Sequence, residues 1–320
     1  MRAPEAGLPL HRRLWIYQAE RFPLAQHGSA VAAFAVAGVA LAGDAAEVRP
    51  SVWSYLVAAP VALMLFLQLR IADEVKDADD DRRYRPERPV PRGLVGLPLL
   101  VTVALLAAVA EAVLSGLLSL RLLMVLAWVW AWMALMNAEF GAARWLRAHP
   151  AFYLVSHMAV MPLIALFVTA CAWAPAGAAP PGWIVPFLLL ALANGCVLEI
   201  GRKLVAPEQE REGVETYSGQ WGPRRAAMIW LAVVVAALLL AELSAWPAVA
   251  AAGETLPMSV PAVLGFAAVL IAAYALVVGL AYRRDPTPRA AKRLEAGAAI
   301  WVMGSYLLLA IIALVAGAPD

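Results

Sequence analysis

Carboxylate side chains recur at intervals of four residues in the polar segment 70–93. Asp73, Asp77 and Asp81 follow one another at this spacing, and Glu74 stands beside the first of them. On an α-helix, residues four apart share one face, so these aspartates form a column. Their mutual repulsion favours a hard cation with oxygen ligands, and Mg²⁺ commonly binds one or two carboxylates together with phosphate oxygens. The spacing therefore predicts a Mg²⁺ site for a ligand that carries phosphate.

A second interpretation of the same segment needs no metal. Four basic residues are interleaved with the acids, namely Lys76, Arg82, Arg83 and Arg85. In this interpretation the segment is a solvated helix end in which acids and bases pair with one another.

The sequence around this segment is strongly apolar. Hydrophobic residues make up 63% of the 320 residues, charged residues make up only 15%, and the formal net charge is +2. Soluble domains usually carry about 25% charged residues, and runs of about 20 apolar residues are long enough to cross a bilayer as helix. We therefore predict an all-α polytopic membrane protein that contacts membrane lipid and binds no nucleic acid.

Nine apolar segments divide the chain after a polar start. We predict an interfacial segment over 1–27, with Trp15 and Tyr17 as anchors, and one nine-helix transmembrane domain over 28–320. The predicted spans lie near 28–43, 51–70, 94–115, 120–138, 151–174, 183–199, 226–246, 259–281 and 296–317.

The basic residues predict how these spans are oriented. With the start of the chain in the cytoplasm, every Lys and Arg except Arg49 and Arg121 falls on the cytoplasmic side, as the positive-inside rule requires. The polar loops 70–93 and 199–225 then share a cytoplasmic-facing polar cap, and the chain ends outside. The high Ala, Arg and Pro content suggests a GC-rich bacterial genome, so we expect the protein in a bacterial inner membrane.

The end of the first loop, RPERPVPRG, carries a more specific pattern. With the preceding acids it resembles the signature of the UbiA superfamily of intramembrane prenyltransferases. The first part of that signature reads Asn-Asp-x-x-Asp-x-x-x-Asp. Asp73 and Glu74 stand at its Asn and first Asp, and Asp77 and Asp81 match its other acids. The tail Asn-x-Pro-x-Arg-Pro-x-Pro-x-Gly is matched by Pro86, Arg88, Pro89, Pro91 and Gly93.

This resemblance implies a fold, a reaction and a set of site residues. The family has nine transmembrane helices, and its acids hold Mg²⁺ on the diphosphate of an allylic isoprenyl donor. Asp73, Glu74, Asp77 and Asp81 are thus the expected metal-binding and catalytic residues, and Arg88 is an expected diphosphate-binding residue. Ionising an allylic diphosphate requires neutralisation of the leaving charge, and a dry apolar chamber protects the carbocation from water.

The second loop matches the family only in part. The family motif Asp-x-x-x-Asp falls on Glu199 and Lys203, with Arg202 before the latter, and Gly213 and Thr216 match its later Gly-x-x-Thr. In one interpretation the two basic residues contact the diphosphate directly. In the other they mark the cytoplasmic end of a helix.

Further candidates lie near the two loops. Glu208 and Glu210 are alternative second-loop ligands within the longer intervening stretch. Asn137, Asn194 and Tyr217 are candidates for the acceptor side of the site. For the two asparagines, hydrogen bonding between helices is the favoured interpretation, and for the tyrosine an aromatic belt is an equally good one.

The sequence thus predicts transfer of an isoprenyl group to a small aromatic or hydroxylated acceptor. Two other functions stay open, a non-catalytic prenyl-lipid binding protein and a membrane transporter. Transporters usually place polar groups near the middle of the membrane on broken helices, whereas here these groups cluster at one face.

Overall fold

The computed structural model describes residues 7–251 and 259–316, and every long regular element in them is an α-helix. The helices are α1 Leu10–Arg21, α2 Leu24–Ala45, α3 Val52–Lys76, α4 Ala78–Tyr84, α5 Leu97–Leu118, α6 Leu120–Asn137, α7 Ala143–Ala148, α8 Pro150–Met158, α9 Val160–Trp173, α10 Val185–Arg202, α11 Tyr217–Trp221, α12 Pro223–Ala251, α13 Ser259–Arg284 and α14 Pro288–Ala316. The predicted all-α polytopic membrane fold is confirmed.

Nine helical segments in the described ranges are long and apolar enough to cross a membrane. Seven of them are single long helices, the fifth combines α8 with α9, and the sixth is α10 with the short turn before it. The first span runs from Leu24 to Ala45, longer than the predicted 28–43, so the predicted boundary at residue 27 lies inside α2.

The centre of the bundle is built around α2, which packs against α3, α9 and α14. Small residues allow this close approach. A Cβ atom at Gly38 would lie 2.7 Å from Val168 Cγ1 on α9 and 2.9 Å from Phe187 Cε1 on α10. Packing of small residues is the usual means by which helices associate in a membrane, where burial of apolar surface supplies little driving force.

The first helix, α1, lies beside this bundle on a separate small core. Tyr17 packs there with Ile71 of α3 and with Leu94 and Val95 of the first loop. Trp15 is 68% exposed, as an interfacial anchor should be, but Tyr17 is only 3% exposed. The prediction for Tyr17 is therefore corrected, because its ring fills the contact between α1 and α3.

Candidate functional site

One cavity of about 330 Å³ joins the two polar loops at the end of the bundle where α3 and α10 finish. We call this end the loop end. The cavity lining contains more basic than acidic residues, which suits an anionic ligand. The basic residues are Arg70, Lys76, Arg85, Arg88, Arg147, Arg202 and Lys203, and the acidic residues are Asp73, Asp77, Asp80, Glu199 and Glu215.

The same cavity has an apolar part. Phe66 and Leu69 line it from α3, and Met136, Met158 and Met161 line it from α6, α8 and α9. The two α3 residues lie one to two turns before the acids, so the apolar part extends from the charged part into the bundle. The cavity therefore offers one ligand a charged mouth and an apolar interior.

The structure separates the four acids of the first loop. Asp73 and Asp77 line the cavity, whereas Glu74 and Asp81 do not. Successive helical residues point about 100° apart, so the residue after Asp73 faces a different neighbour. Glu74 turns to α1, where its Oε1 accepts a hydrogen bond from Arg21 Nε at 2.5 Å.

Asp81 is held by the tail of its own loop. Its side chain is 2% exposed and accepts hydrogen bonds from Arg88 Nη1 at 2.8 and 2.7 Å and from Arg85 Nη1 at 3.1 Å. Both arginines also line the cavity. The final acid of the column thus orients cavity arginines rather than facing the cavity itself.

The residues that remain fit a cation shared with a phosphate ligand. Asp77 has no ion pair in the described part of the chain. Burial, and then the carboxylates of Asp73 and Asp81, raise the pKa of Asp77. A cation at this carboxylate would offset the repulsion. Within residues 7–251 and 259–316 no three His, Cys, Asp or Glu side chains converge as a complete metal site, so phosphate oxygens and water would have to complete the ligand set.

The second loop brings a compact charge cluster to its own part of the cavity wall. Glu199, near the end of α10, pairs with Arg202 Nη2 at 2.5 Å and with Lys203 Nζ at 3.0 Å. All three side chains line the cavity. The carboxylate is shared by two cations, so one net positive charge remains here for a ligand.

Tyr217 closes this wall. Its ring stacks on Trp221 at 4.6 Å between centroids, and Lys203 Nζ lies 5.5 Å from the ring centre. Burial raises the pKa of Tyr217, so its hydroxyl keeps its proton at neutral pH. Tyr217 lines the cavity, and its contact with an acceptor stays a prediction.

Two second-loop candidates lie away from the cavity lining. Glu210 accepts hydrogen bonds from Thr216 Oγ1 at 2.6 Å and Ser218 Oγ at 2.8 Å. Thr216 Oγ1 in turn caps α11 by accepting from Gly219 N at 3.0 Å. Glu210 therefore shapes the loop, and Glu208 is exposed on a short turn before it.

The two asparagine candidates also lie outside the cavity. Asn194 is buried, where its Oδ1 accepts from Trp301 Nε1 at 2.9 Å and its Nδ2 donates to Ser305 Oγ at 3.2 Å. These bonds tie α10 to α14, in line with the helix–helix interpretation. Asn137 is exposed at the last residue of α6.

A second polar group at the cavity depends on a pairing that was not predicted from the sequence. Lys76 Nζ pairs with Glu139 Oε1 at 2.5 Å and donates to the Tyr153 hydroxyl at 2.7 Å. His157 stacks on Tyr153 with 3.9 Å between ring centroids. Glu139 and Phe140 both have left-handed backbone angles, with φ of 49° and 52°. No sequence pattern indicates a left-handed backbone at two bulky residues. Lys76 was predicted only as a possible partner for acids of its own loop.

Solved structures resemble the whole chain. A UbiA homologue from Aeropyrum pernix K1 in its apo state is 16% identical, with a TM-score of 0.64 over 87% of this chain and 96% of that one. A structure reported for digeranylgeranylglyceryl phosphate synthase in membranes is 14% identical, with a TM-score of 0.59 over 95% and 99%. A UbiA homologue from Archaeoglobus fulgidus, bound to DMAPP and Mg²⁺, is 10% identical, with a TM-score of 0.53 over 92% and 99%.

These similarities define the class of fold. The helical bundle of the described residues, with its charged cavity at the loop end, has the UbiA fold, as the first loop predicted. No protein-family model matches the sequence, and no curated protein matches it either.

Proposed function

We propose that the chain is an intramembrane prenyltransferase, which moves an isoprenyl group from an allylic diphosphate to a small aromatic or hydroxylated acceptor. One observation carries this proposal. Two loops more than 100 residues apart in the sequence both line a single cavity that is charged at its mouth and apolar inside. A diphosphate on an isoprenoid chain has the same division of polarity.

The charged mouth would receive the diphosphate. Asp73 and Asp77 are the residues proposed to hold Mg²⁺, which would neutralise leaving charge when bound. Arg202 and Lys203 would contact the phosphate oxygens from the second loop, replacing with fixed charge the acid that the family motif has at the second position. Arg88 would contribute positive charge while it holds Asp81.

The apolar interior would receive the isoprenoid chain. Phe66, Leu69 and the three methionines offer surface without hydrogen-bonding groups, and methionine side chains adapt to irregular shapes. Such a lining excludes water from an allylic cation. Tyr217, which lies between the charged wall and Trp221, is proposed to contact the acceptor. We place the cavity and the start of the chain on the cytoplasmic side of a bacterial inner membrane.

The experiment compares substitutions of two aspartates that lie two residues apart, in the purified protein in lipid. Radiolabelled farnesyl, geranylgeranyl and longer diphosphates are supplied with a pool of acceptors, with and without Mg²⁺, and diphosphate release is measured. Asp77→Asn should abolish release. Asp79→Asn is the matched control, because Asp79 is 94% exposed, pairs with Arg82 and lies outside the cavity. Equal activity of both variants would refute the role of Asp77.

A second function is a prenyl-diphosphate binding protein without turnover. The pairing of Glu199 with Arg202 and Lys203 favours it, because the carboxylate that matches the family's second acidic motif is already engaged by two cations. Saturable donor binding without release, with every acceptor tried, would support this function. A transporter is less well supported, because the charged groups lie at the loop end rather than midway along the helices.

A further inference from the structure

The helix α1 is fastened to the first loop by polar contacts as well as by its apolar face. Arg13 Nε donates to the Leu94 carbonyl at 2.6 Å. Arg92 Nη1 and Nη2 donate to the two carboxylate oxygens of Glu20 at 2.7 and 2.8 Å. The tail that carries Arg88 is therefore held against α1 on the side away from the cavity.

Glu74 makes a polar contact between α1 and the acidic end of α3. Its side chain is 1% exposed and pairs with Arg21 at 2.5 Å, and its second oxygen has no hydrogen-bond partner in the described residues. Burial and the nearby Glu74 raise the pKa of the Tyr17 hydroxyl, which lies in the same contact. A buried carboxylate is costly unless it is paired, so Arg21 fixes where the Glu74 side chain can lie.

The position of Glu74 determines where its neighbours point. Asp73 precedes it by one residue and Asp77 follows it by three on the same helix, so rotation of this turn moves all of them together. With Glu74 directed at α1, Asp73 and Asp77 line the cavity. Lys76 holds the same turn from another side through Glu139 and Tyr153.

We propose that Glu74 is a positioning residue, which with Arg21 of α1 fixes the end of α3 so that Asp73 and Asp77 face the cavity. The inference makes α1 part of the donor site, although no α1 residue lines the cavity. It rests on the proposed prenyltransferase function for its activity measurement, and a second measurement is independent of that function.

The first test needs neither donor nor metal. Hydrogen exchange is measured over residues 70–84 in metal-free wild type, Arg21→Gln, Glu74→Gln, the double variant and Arg12→Gln. Arg12 is the matched control, because it is an exposed arginine on the same helix. Arg21→Gln and Glu74→Gln should each speed exchange in this segment, since loss of the pair loosens the turn, and Arg12→Gln should not.

The second test uses donor turnover at varied Mg²⁺. Arg21→Gln and Glu74→Gln should each lower kcat/KM by about 10- to 100-fold, the loss typical of a slightly misplaced catalytic group. The kcat/KM of the double variant should be no lower than that of the less active single variant, because both changes remove the same interaction. The Mg²⁺ concentration for half-maximal activity should change equally in both single variants.

Three results would overturn the inference. If Glu74→Gln raises the Mg²⁺ requirement while Arg21→Gln behaves like wild type, Glu74 is a metal ligand. Wild-type exchange in both single variants would show that the pair does not hold the turn. If Glu74→Gln does not fold, Arg21→Lys should retain more activity than Arg21→Gln, and equal loss would refute a role for the charge. An inactive wild type would count against the proposed function, and hydrogen exchange would still decide this inference.

Discussion

Arg88 and Asp81 are bound to each other through one guanidinium nitrogen, which lies 2.8 and 2.7 Å from the two carboxylate oxygens. The pair links the Arg-Pro-x-Pro-x-Gly tail to the last acid of the preceding column. Burial lowers the pKa of Arg88, although the value for an arginine starts so high that the charge is retained. Two parts of the sequence pattern that were predicted to bind metal and diphosphate separately are thus also partners.

Breaking this pair should destabilise the protein. Asp81→Asn leaves two arginines without their shared buried carboxylate, and we expect a loss of about 3 kcal/mol in the free energy of unfolding. Thermal unfolding in detergent, beside Asp79→Asn as the surface control, would measure it. Asp81→Asn with wild-type stability but an increased Mg²⁺ requirement would instead identify Asp81 as a ligand.

Substitutions in the charge cluster at the end of α10 distinguish two roles for Glu199, as a partner of the two cations or as a metal ligand. Arg202→Gln and Lys203→Gln should each raise the KM for donor at least about tenfold, since charged hydrogen bonds to phosphate are strong. Glu199→Gln should leave this KM unchanged or lower it, because it frees both cations for the ligand. A higher KM and a higher Mg²⁺ requirement in Glu199→Gln would mean that the carboxylate binds the metal.

Asn194 should matter for stability and not for catalysis. Asn194→Leu removes the acceptor for Trp301 Nε1 in a buried contact, and an unsatisfied donor of this kind costs about 1–3 kcal/mol. Donor KM should stay at the wild-type value. Asn137→Leu, at an exposed position, should change neither quantity. A selective loss of acceptor affinity in Asn194→Leu would contradict the helix–helix role.

Lys76 should be required for the shape of the cavity wall. Lys76→Met leaves Glu139 buried without its cation beside a left-handed backbone segment, so we expect a lower unfolding temperature and low activity. Combining Lys76→Met with Glu139→Gln should restore stability in part, because the uncompensated charge is then removed. Unfolding curves of the single and double variants would measure this coupling. Additive losses would show that the two residues act separately.

The sequence was sufficient for the bundle because each span is defined locally. Runs of about 20 apolar residues form helices in a membrane regardless of their neighbours. The nine predicted spans therefore match the nine helical segments of residues 7–251 and 259–316 that are long and apolar enough to cross a membrane. The meeting of the two loops also followed from the sequence. An even number of spans lies between them, so both loops emerge on the same side.

The details of the site depended on contacts between distant residues. Whether Glu74 faces the cavity or α1 is decided by Arg21, which is 53 residues away in the chain. Lys76 was expected to pair with acids of its own loop, but it pairs with Glu139 across the cavity wall. Neither choice changes the helical pattern, so periodicity and motif spacing carry no information about it.

Gly195 on α10 lies behind two of the methionines that line the apolar interior. A Cβ atom there would lie 2.8 Å from Met161 Cγ and 3.3 Å from Met158 Sδ. A single added methyl group would therefore push these flexible side chains toward the space assigned to the isoprenoid tail, without touching any ligand. In the proposed prenyltransferase, the length of isoprenoid that fits is consequently open to evolutionary adjustment from outside the chamber, by residue size at a position that does not line it.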